Sequence, residues 1–489
     1  MEPRQGMNRR AFMKAAASTT VAFSAVPRHV LGGPGLAAPS GQLNLACIGM
    51  GWQGMRMLSD LLKRSDVRVV AVCDPNTDSS DYIGWGRGRE GAKGFRGGRV
   101  PGREMVDAHD GRAKPSGASK GCAAYADFRE MLEKQADLDA VHIVTPDHTH
   151  ATLAIAAMKK GKHAAMHKPV ANRMHEARLT VETARRTGQV THLHAWRDCG
   201  ELYTIREWIR QGVIGPVREV HRWLYKPIWP QGTPYLPTDN PPVPEGFDWD
   251  LWLGPVPHRP YSPRYTHAVY RGWYDFGGGG MADMGYYGLW MDWRILELGA
   301  ATSAEACASI VCEVRGYQSG TVKNAVSFPH ASTVRLGLPA RGQMPPCDVY
   351  WYDGGMRPPT PKELIEAGQP MPNAGVMFVG DEGKVLAGYQ YEKPRVLPEK
   401  KMREAAAVKT PDVEIVSTSD EWINAFRSGK PSRGSFQNVQ HLAEAICLSN
   451  VAIRLNTRLE WDDANMKITN RPDANRYLRR EEYRKGWEL

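Results

Sequence analysis

The chain has 489 residues, of which 42% are hydrophobic and 24% are charged, and its formal net charge is +10. This length allows two or three domains, and the composition is that of a globular protein rather than a disordered or fibrous one. No apolar run reaches the roughly 20 residues that span a bilayer, and no nucleic-acid-binding motif accompanies the positive charge. We therefore expect neither a transmembrane segment nor a nucleic-acid partner.

The first 40 residues have the pattern of an export signal. Arg9 and Arg10 stand in a segment that resembles the twin-arginine motif, and a weakly apolar stretch follows at 15–26. This stretch is too short to span a membrane and is typical of the central region of a signal peptide. We expect residues 1–40 to direct the folded protein to the periplasm by the twin-arginine route; a disordered basic arm is the alternative.

The eight cysteines include no pair spaced as Cys-x-x-Cys. Cys47 and Cys73 fall in apolar runs and are expected to be buried as small hydrophobic side chains. The pattern therefore indicates neither a zinc site nor a redox-active pair, and we expect no bound metal.

From residue 43 onward, short apolar runs alternate with segments of helical periodicity. The runs are rich in apolar and β-branched residues, which indicates buried strands, and the alternation indicates a parallel sheet with helices on both faces. Strands are predicted at 43–48, 67–73, 140–144 and 163–166, and helices at 55–64, 128–134, 151–160 and 174–186. We therefore expect an α/β fold that begins with a doubly wound parallel sheet.

One segment, residues 79–121, interrupts this alternation. It is rich in Gly and Arg and has no periodicity. A structureless stretch of this length is usually functional or disordered. We predict an inserted loop, which is either a flexible surface loop or a segment close to the ligand site or to a subunit contact.

The character of the sequence changes after residue 191. Residues 227–263 are dense in Pro and Trp and are predicted to form an ordered loop. Regular elements are predicted at 204–211, 217–224, 280–298, 306–314, 333–338, 375–379, 419–427 and 439–455. Their mixture of helices and strands predicts a second, α+β domain over residues 173–489, with an open, mostly antiparallel sheet.

Residues 49–54 read Gly-x-Gly-x-x-Gly and connect the first predicted strand to the first predicted helix. Gly49 permits the tight turn, Gly51 lets the backbone approach a pyrophosphate, and Gly54 permits close packing of helix and strand. Asp74 ends the next strand, where its carboxylate would accept hydrogen bonds from an adenosine ribose and repel a 2′-phosphate. The sequence thus predicts a Rossmann-type domain over residues 41–172 that prefers NAD to NADP. The alternative is a glycine-rich turn with a chance aspartate.

Three further motifs carry a family resemblance. Residues 145–150 read Thr-Pro-Asp-His-Thr-His, Lys168 and Pro169 follow the next strand, and a glycine-rich segment at 277–287 opens a helix. Together with the glycine turn, these motifs resemble the Gfo/Idh/MocA oxidoreductases over essentially the whole chain after residue 40. The resemblance implies a nicotinamide cofactor, a carbohydrate or polyol substrate, and a homodimer or homotetramer.

The resemblance also implies which residues act on the substrate. Lys168 matches the lysine of the family's Glu-Lys-Pro motif, which lies beside the nicotinamide and the reacting hydroxyl, although His167 replaces the glutamate. Asp283 and Tyr287 match an Asp and a His or Tyr on one face of a helix. A desolvated lysine near a positive ring has a lowered pKa and can act as acid or base. Lys168, Asp283 and Tyr287 are therefore the candidate catalytic residues; a surface lysine, a helix-start carboxylate and a packed aromatic are the alternatives.

The same resemblance extends the candidate cofactor site. Pro146 and His150 would line the nicotinamide and its ribose, while Trp196 and Arg197 follow a strand at the position of the family's substrate wall. A helix-capping role is the alternative for His150. The candidate cofactor-binding residues are Gly49, Met50, Gly51, Trp52, Gln53, Gly54, Asp74, Thr145, Pro146, His148, His150, His167, Lys168, Trp196 and Arg197.

Most of the 15 Trp residues lie between Trp196 and Trp293. Indole faces stack on sugar rings and indole N–H groups donate hydrogen bonds, so this cluster is either a carbohydrate-binding surface or part of the core. Arg197, Tyr203 and Arg271 are further candidates for substrate contact. The cluster does not select a particular sugar.

Three functions are compatible with these residues. The first is an NAD-dependent oxidoreductase that oxidises or reduces a secondary hydroxyl or ketone of a sugar, glycoside or polyol. The second is a redox-neutral glycoside hydrolase, lyase or epimerase that works through a transient keto-sugar on one bound NAD. Export would favour the second, because free NAD is scarce outside the cytoplasm. The third is a sugar-binding protein with an inactive cofactor site, against which the intact Lys168 and glycine turn argue.

Overall fold

A computed structural model of the chain describes residues 41–82, 94–113, 121–227, 229 and 231–489. The predicted export signal at residues 1–40 and part of the predicted insertion lie outside this range. No helix in the described part is long and apolar enough to cross a bilayer.

The first half of the chain alternates strands and helices. In chain order the elements are β1 (Leu43–Ile48), α1 (Trp52–Leu61), β2 (Val67–Cys73), β3 (Ser79–Tyr82), β4 (Phe95–Gly97), α2 (Arg99–Ala113), β5 (Ala123–Tyr125), α3 (Phe128–Lys134), β6 (Ala140–Ile143), α4 (His150–Lys159), β7 (His163–Met166), α5 (Met174–Thr187) and β8 (Thr191–Leu193). The predicted elements match within a few residues, whereas β3, β4, α2 and β5 were not predicted. Helix α1 begins earlier than predicted, because Gly51, in an extended conformation, already acts as its N-cap.

A six-stranded sheet organises this half in the order β5-β2-β1-β6-β7-β8, and every neighbouring pair is parallel. The strand order reverses at β1, so a crevice opens there at the carboxyl ends of the strands, where open α/β sheets bind ligands. This confirms the predicted doubly wound sheet. Strand β8 extends the sheet past residue 172, where the sequence placed the end of the domain.

The prediction of a structureless loop at residues 79–121 is wrong for the part that is described. Strands β3 and β4 form a two-stranded antiparallel hairpin, and α2 follows directly. The low hydrophobicity of α2 concealed it, although Val106 is buried on one face. The hairpin brings Tyr82 against the glycine turn, where a Cβ on Gly51 would lie 3.0 Å from the Tyr82 ring. The described hairpin therefore contributes Tyr82 to the wall of the crevice.

The second half contains the larger sheet. In chain order its elements are α6 (Gly200–Arg210), β9 (Val217–Trp223), α7 (Trp249–Leu253), α8 (Tyr286–Leu296), β10 (Ser303–Ala308), β11 (Val311–Arg315), β12 (Gln318–Val322), β13 (Ser332–Leu338), β14 (Cys347–Tyr352), α9 (Lys362–Glu366), β15 (Gly375–Gly380), β16 (Lys384–Ala387), β17 (Arg395–Leu397), α10 (Met402–Ala407), α11 (Thr418–Ser428), α12 (Phe436–Leu455), β18 (Arg458–Asp462) and β19 (Lys467–Ile468). A π-helical turn, Met281–Gly285, leads into α8.

Nine of these strands form one sheet in the order β17-β16-β15-β9-β14-β13-β10-β18-β19. Its pairs are antiparallel except β14 with β9, which confirms the predicted open, mostly antiparallel sheet. The single strand predicted at 306–314 is wrong. The chain leaves the sheet after Ala308, and β11 pairs with β12 in a separate hairpin.

Two ion pairs hold helices of the fold in place. Arg222 on β9 and Asp292 on α8 are fully buried and form a bidentate pair with N–O distances of 2.7 and 2.8 Å. Helix α12 packs on α5, where Arg178 and Glu444 pair at 2.7 Å between Nη2 and Oε2. Because a buried charge without its partner is strongly destabilising, the first pair holds α8 in one position on the large sheet.

Candidate functional site

The turn after β1 has the shape that a dinucleotide requires. Gly49 has a φ of +91°, and a Cβ there would lie 2.3 Å from the carbonyl oxygen of Val144. A Cβ on Gly54 would lie 1.8 Å from the carbonyl oxygen of Gly49. Only glycine fits either position, and the bare turn lies at the N-terminus of α1, whose free N–H groups suit a phosphate. The residues present therefore fit a dinucleotide.

Asp74 lies at the end of β2 on the wall of the same crevice. Its carboxylate accepts hydrogen bonds from the backbone N–H groups of Met50, at 2.6 Å, and Asn76, at 2.8 Å. Burial raises the pKa of Asp74 to about 6, and the two N–H donors limit this rise. The carboxylate is thus held in place, and each of its oxygens has a lone pair left for a ligand hydroxyl.

The crevice is a cleft of about 1190 Å³, including its open mouth. Both halves of the chain line it: the glycine turn, Thr145, Pro146, His167 and Lys168 come from the first half, and Tyr270 and Arg271 from the second. The other lining residues are Ile48, Trp52, Gln53, Cys73, Asp74, Pro75, Tyr82, Ala126, Asp127, Phe128, Val144, Thr149, Leu153, Phe247, Leu251, Trp252, His267, Ala268 and Trp487.

Lys168 follows β7 and forms a buried ion pair with Asp283, which lies in the π-helical turn before α8. The Lys168–Pro169 peptide bond is cis. Arg271 also donates to Asp283, with 3.2 Å between Nε and Oδ1. Asp283 is not itself on the cleft wall, but it contacts two cationic side chains that are.

These contacts set the protonation of the group. Burial lowers the pKa of the Lys168 amine, and the positive charge of Arg271 lowers it further, whereas Asp283 raises it. Burial alone would raise the pKa of Asp283, but Lys168 and Arg271 outweigh burial and bring the pKa to about 2. Asp283 is therefore a permanent carboxylate, and Lys168 is an amine that releases its proton more easily than a surface lysine.

Tyr287 lies one helical turn beyond Asp283. Its ring centre is 5.3 Å from the Lys168 Nζ, and its hydroxyl is 3.4 Å from the Nε2 of His167. Burial raises the pKa of Tyr287, and burial together with Lys168 lowers the pKa of His167 well below its usual value. Both groups are therefore neutral near pH 7, and the phenol hydroxyl faces His167 while the ring lies against the amine.

Five predicted cofactor residues lie off the cleft wall. Met50 is fully buried, and its backbone N–H donates to the Asp74 carboxylate. The His148 ring packs against Trp252, and its Nε2 lies 2.9 Å from the Trp252 carbonyl oxygen. Both ring nitrogens of His150 face carbonyl oxygens, of Pro169 at 2.7 Å and of Thr145 at 2.8 Å. This buried ring therefore ties together the loops that carry Thr145 and Lys168.

Trp196 and Arg197, the other two of these five residues, also do not line the cleft. Trp196 is buried with the Arg294 guanidinium 3.8 Å from its ring centre, and Arg197 contacts Gln390 and is exposed. Most residues of the predicted Trp cluster are buried in the core, among them Trp223 and Trp290. Core packing thus accounts for most of the cluster, although Trp252 lines the cleft.

The sequence did not indicate several of the cleft residues. Tyr82 lies in the presumed loop, Phe247 comes from the Pro- and Trp-rich segment, and His267 follows that segment. Trp487 belongs to the segment after β19, which is mostly polar. A single large aromatic residue in such a segment was the sequence feature that could have indicated these cleft positions. Among the described residues, no group of three or more His, Cys, Asp or Glu side chains is arranged to hold a metal ion.

Two family models match successive segments of the chain. Residues 101–194 match the NAD-binding Rossmann fold of the Gfo/Idh/MocA oxidoreductase family, and residues 205–296 match its C-terminal alpha/beta domain. Among curated proteins, Glycosyl hydrolase family 109 protein 2 of Shewanella sp. (strain ANA-3) is 28% identical over 248 residues, which are 46% of this chain and 48% of that protein. The chain thus spans about half the length of the curated relatives it matches.

Two solved structures share the fold. The WlbA dehydrogenase of Bordetella pertussis, in complex with NADH and UDP-GlcNAcA, is 15% identical with a TM-score of 0.50 and covers 86% of this chain and 99% of its own. Aldose-aldose oxidoreductase of Caulobacter crescentus, complexed with glycerol, is 14% identical with a TM-score of 0.50 and the same coverage, 86% and 99%. The two family models confirm that the chain resembles the Gfo/Idh/MocA oxidoreductases, as its motifs predicted, and the solved structures share its fold.

Proposed function

We propose that the chain is a nicotinamide-dependent oxidoreductase that acts on a secondary hydroxyl or ketone of a carbohydrate or polyol. The observation that carries this proposal is the Lys168–Asp283 ion pair beside a cleft whose glycine turn fits a dinucleotide. An amine with a lowered pKa and a fixed carboxylate behind it is the arrangement that proton transfer to or from an alcohol requires.

A bound nicotinamide would supply the acceptor or donor of a hydride at this site. The side chains of the protein transfer the proton that accompanies the hydride. In the neutral form, Lys168 takes the proton of the substrate hydroxyl, and in the charged form it returns a proton to a ketone. Asp283 holds the amine in place through its hydrogen bond, and Arg271 favours the neutral amine by its charge. Tyr287 packs over the amine and limits the access of water.

We propose NAD rather than NADP as the cofactor. Asp74 presents a buried carboxylate where an adenosine ribose would lie, and its oxygens can accept from two ribose hydroxyls. A 2′-phosphate at the same place would face this carboxylate at short range. Arg99, whose charge lowers the pKa of Asp74, donates from Nη1 to the backbone carbonyl oxygens of Asp74, at 3.1 Å, and Pro75, at 3.2 Å, so this nitrogen is already engaged.

A second candidate is the redox-neutral cycle, in which a glycoside is cleaved and NAD is unchanged at the end. Two observations favour it. The family 109 glycosyl hydrolases are among the curated relatives, and the cleft is covered by segments from both halves of the chain, which would retain a nucleotide. Export with the nucleotide already bound, through the predicted signal at residues 1–40, would suit this cycle.

One experiment separates the candidates. The purified protein is denatured, and any released nucleotide is identified by mass; the native protein is then incubated with a panel of sugars, polyols and glycosides. Stoichiometric NADH absorbance would support the dehydrogenase, and released sugar without NADH would support the cycle. Lys168→Met serves as the inactive control. If no nucleotide copurifies and neither NAD nor NADP binds, the proposal is wrong.

A further inference from the structure

The segment 480–487 reaches one end of the cleft through Trp487, which forms part of the wall. Trp487 is 4% exposed and lines the cleft together with Pro75, Phe128 and Leu251. We propose that Trp487 is the adenine-binding residue of this protein and that segment 480–487 keeps the nucleotide bound through many turnovers. This inference rests on the proposed function, since it concerns the same cleft.

The segment is anchored by a buried polar network. Arg480, 7% exposed, donates to Glu176 at 2.7 Å from Nε and to Asn172 at 2.8 Å from Nη2. The Tyr483 hydroxyl donates to the same Glu176 oxygen at 3.0 Å. Because a buried charge that loses its partner costs far more than an exposed one, this network fixes the start of the segment on helix α5.

Contacts with Arg129 and Phe128 hold the Trp487 side chain in place. The Arg129 guanidinium lies 4.8 Å from the centre of its ring, and Arg129 Nη1 donates to the carbonyl oxygen of Gly486 at 2.9 Å. The Phe128 ring lies 5.7 Å away between centroids. Arg484 pairs with Asp250 at 2.7 Å and so ties the segment to helix α7. The indole is therefore held in one orientation at the wall.

The position of the Trp487 indole in the cleft indicates which part of the nucleotide it would contact. Phe128 follows β5, the strand next to β2, and Asp74, the residue that would contact the ribose, directly follows β2. A base attached to that ribose would lie beyond Asp74 on the side of Pro75, Phe128 and Trp487. Flat aromatic and apolar surfaces favour a purine, which gains by stacking.

The cleft is also covered at the glycine turn. The Tyr82 and His267 rings lie 4.1 Å apart between centroids, and Tyr82 lies over Gly51. Three segments that are distant in sequence, at Tyr82, at His267 and at Trp487, thus enclose the same cleft. Of the three, segment 480–487 reaches the end of the cleft where the adenosine would lie, so loss of its contact with the base would speed release of the nucleotide.

The test compares nucleotide release from Trp487→Ala, Trp487→Phe and Glu482→Ala. Glu482 is exposed in the same segment and serves as the matched control. Each protein is loaded with NADH, and the loss of bound NADH fluorescence is followed after a chase with excess NAD. We expect release from Trp487→Ala to be roughly 10- to 100-fold faster than from wild type, because stacking on one aromatic contributes about that factor. Trp487→Phe and Glu482→Ala should stay close to wild type.

Hydrogen exchange of the wild-type protein gives a second measurement that needs no variant. Addition of NAD should slow amide exchange in segment 480–487. Equal release rates for Trp487→Ala and wild type, or no change in exchange on NAD addition, would overturn the inference while leaving the proposed function intact. Failure of the wild type to bind either nucleotide would overturn both.

Discussion

Lys168 and Asp283 form a buried ion pair although they are 115 positions apart in the sequence and lie in different halves of the structure. Lys168 follows a strand of the parallel sheet, and Asp283 lies in the turn that opens helix α8 on the large sheet. The pair therefore exists only when the two halves are correctly packed. Folding, packing of the halves and the protonation of the amine are linked through this contact.

Replacing Lys168 by Met should abolish turnover without removing the nucleotide. The amine is the group that moves the substrate proton, and loss of a general acid or base lowers rates by about 10²- to 10⁴-fold. Methionine keeps most of the buried volume, and Arg271 remains as a partner for Asp283. The measurement is kcat on the best substrate of the panel, beside bound nucleotide per chain.

Lys160→Met is the matched control, because Lys160 is exposed at the end of helix α4. It should behave as wild type. A Lys168→Met protein that keeps more than about a tenth of the wild-type kcat would show that the amine is not the acid or base.

Arg271 should set the pH at which the enzyme becomes active. Burial and the Arg271 charge lower the pKa of Lys168, so oxidation, which needs the neutral amine, should rise at a pH below the usual lysine range. Arg271→Gln removes a positive charge, which raises the pKa of Lys168 and moves the rising limb of kcat against pH to higher pH. A limb that stays in place, or moves to lower pH, would contradict this role.

The sequence predicted the first sheet well, and for a physical reason. Buried parallel strands such as β1 and β2 are almost entirely apolar, each with one polar residue at its second position, and both have the predicted bounds. The glycine turn could also be predicted, because only Gly fits a position such as Gly54, whose Cβ would overlap a carbonyl oxygen. These signals are local, so one sequence is enough to show them.

The remaining parts of the site depend on contacts between distant segments. Tyr82 and Trp487 reach the cleft from a hairpin and from a polar segment, neither of which has hydrophobic periodicity. The π-helical turn that places Asp283 has no sequence signature that separates it from an ordinary helix start. His150 matched a family position, but the structure shows its two nitrogens facing backbone carbonyls. Composition and spacing do not carry such information.

Asp74 should make NAD binding depend on pH. The carboxylate, not the acid, accepts hydrogen bonds from ribose hydroxyls, and burial has raised the pKa of Asp74 to about 6. NAD affinity should therefore increase as the pH rises through about 6, and bound NAD should in turn lower the pKa of Asp74. Isothermal titration between pH 5 and 8 measures this, and those values bracket the pKa.

Asp74→Asn is the variant that tests the cause. The amide cannot ionise, so its NAD affinity should be lower at high pH and flat across the same range. Its discrimination against NADP should also decrease, because the charge that repels a 2′-phosphate is gone. If the Asp74→Asn protein keeps the full pH dependence, another group titrates in the cleft.

The glycine turn gives a prediction about stability with a matched pair of substitutions. In Gly54→Ala the new methyl would lie 1.8 Å from the Gly49 carbonyl oxygen, so either the turn or helix α1 must shift. Such overpacking costs roughly 1–3 kcal/mol or more, and the shift also removes the surface on which a pyrophosphate would rest. In Gly111→Ala, on the exposed face of helix α2, nothing lies within 4 Å of the new methyl, and the helix should gain about 0.5–1 kcal/mol.

Thermal unfolding with and without NAD measures both effects. Gly54→Ala should unfold at a lower temperature than the wild type and gain no stability from NAD. Gly111→Ala should unfold at or above the wild-type temperature and keep the stabilisation by NAD. A Gly54→Ala protein that NAD still stabilises as it does the wild type would place the nucleotide away from this turn.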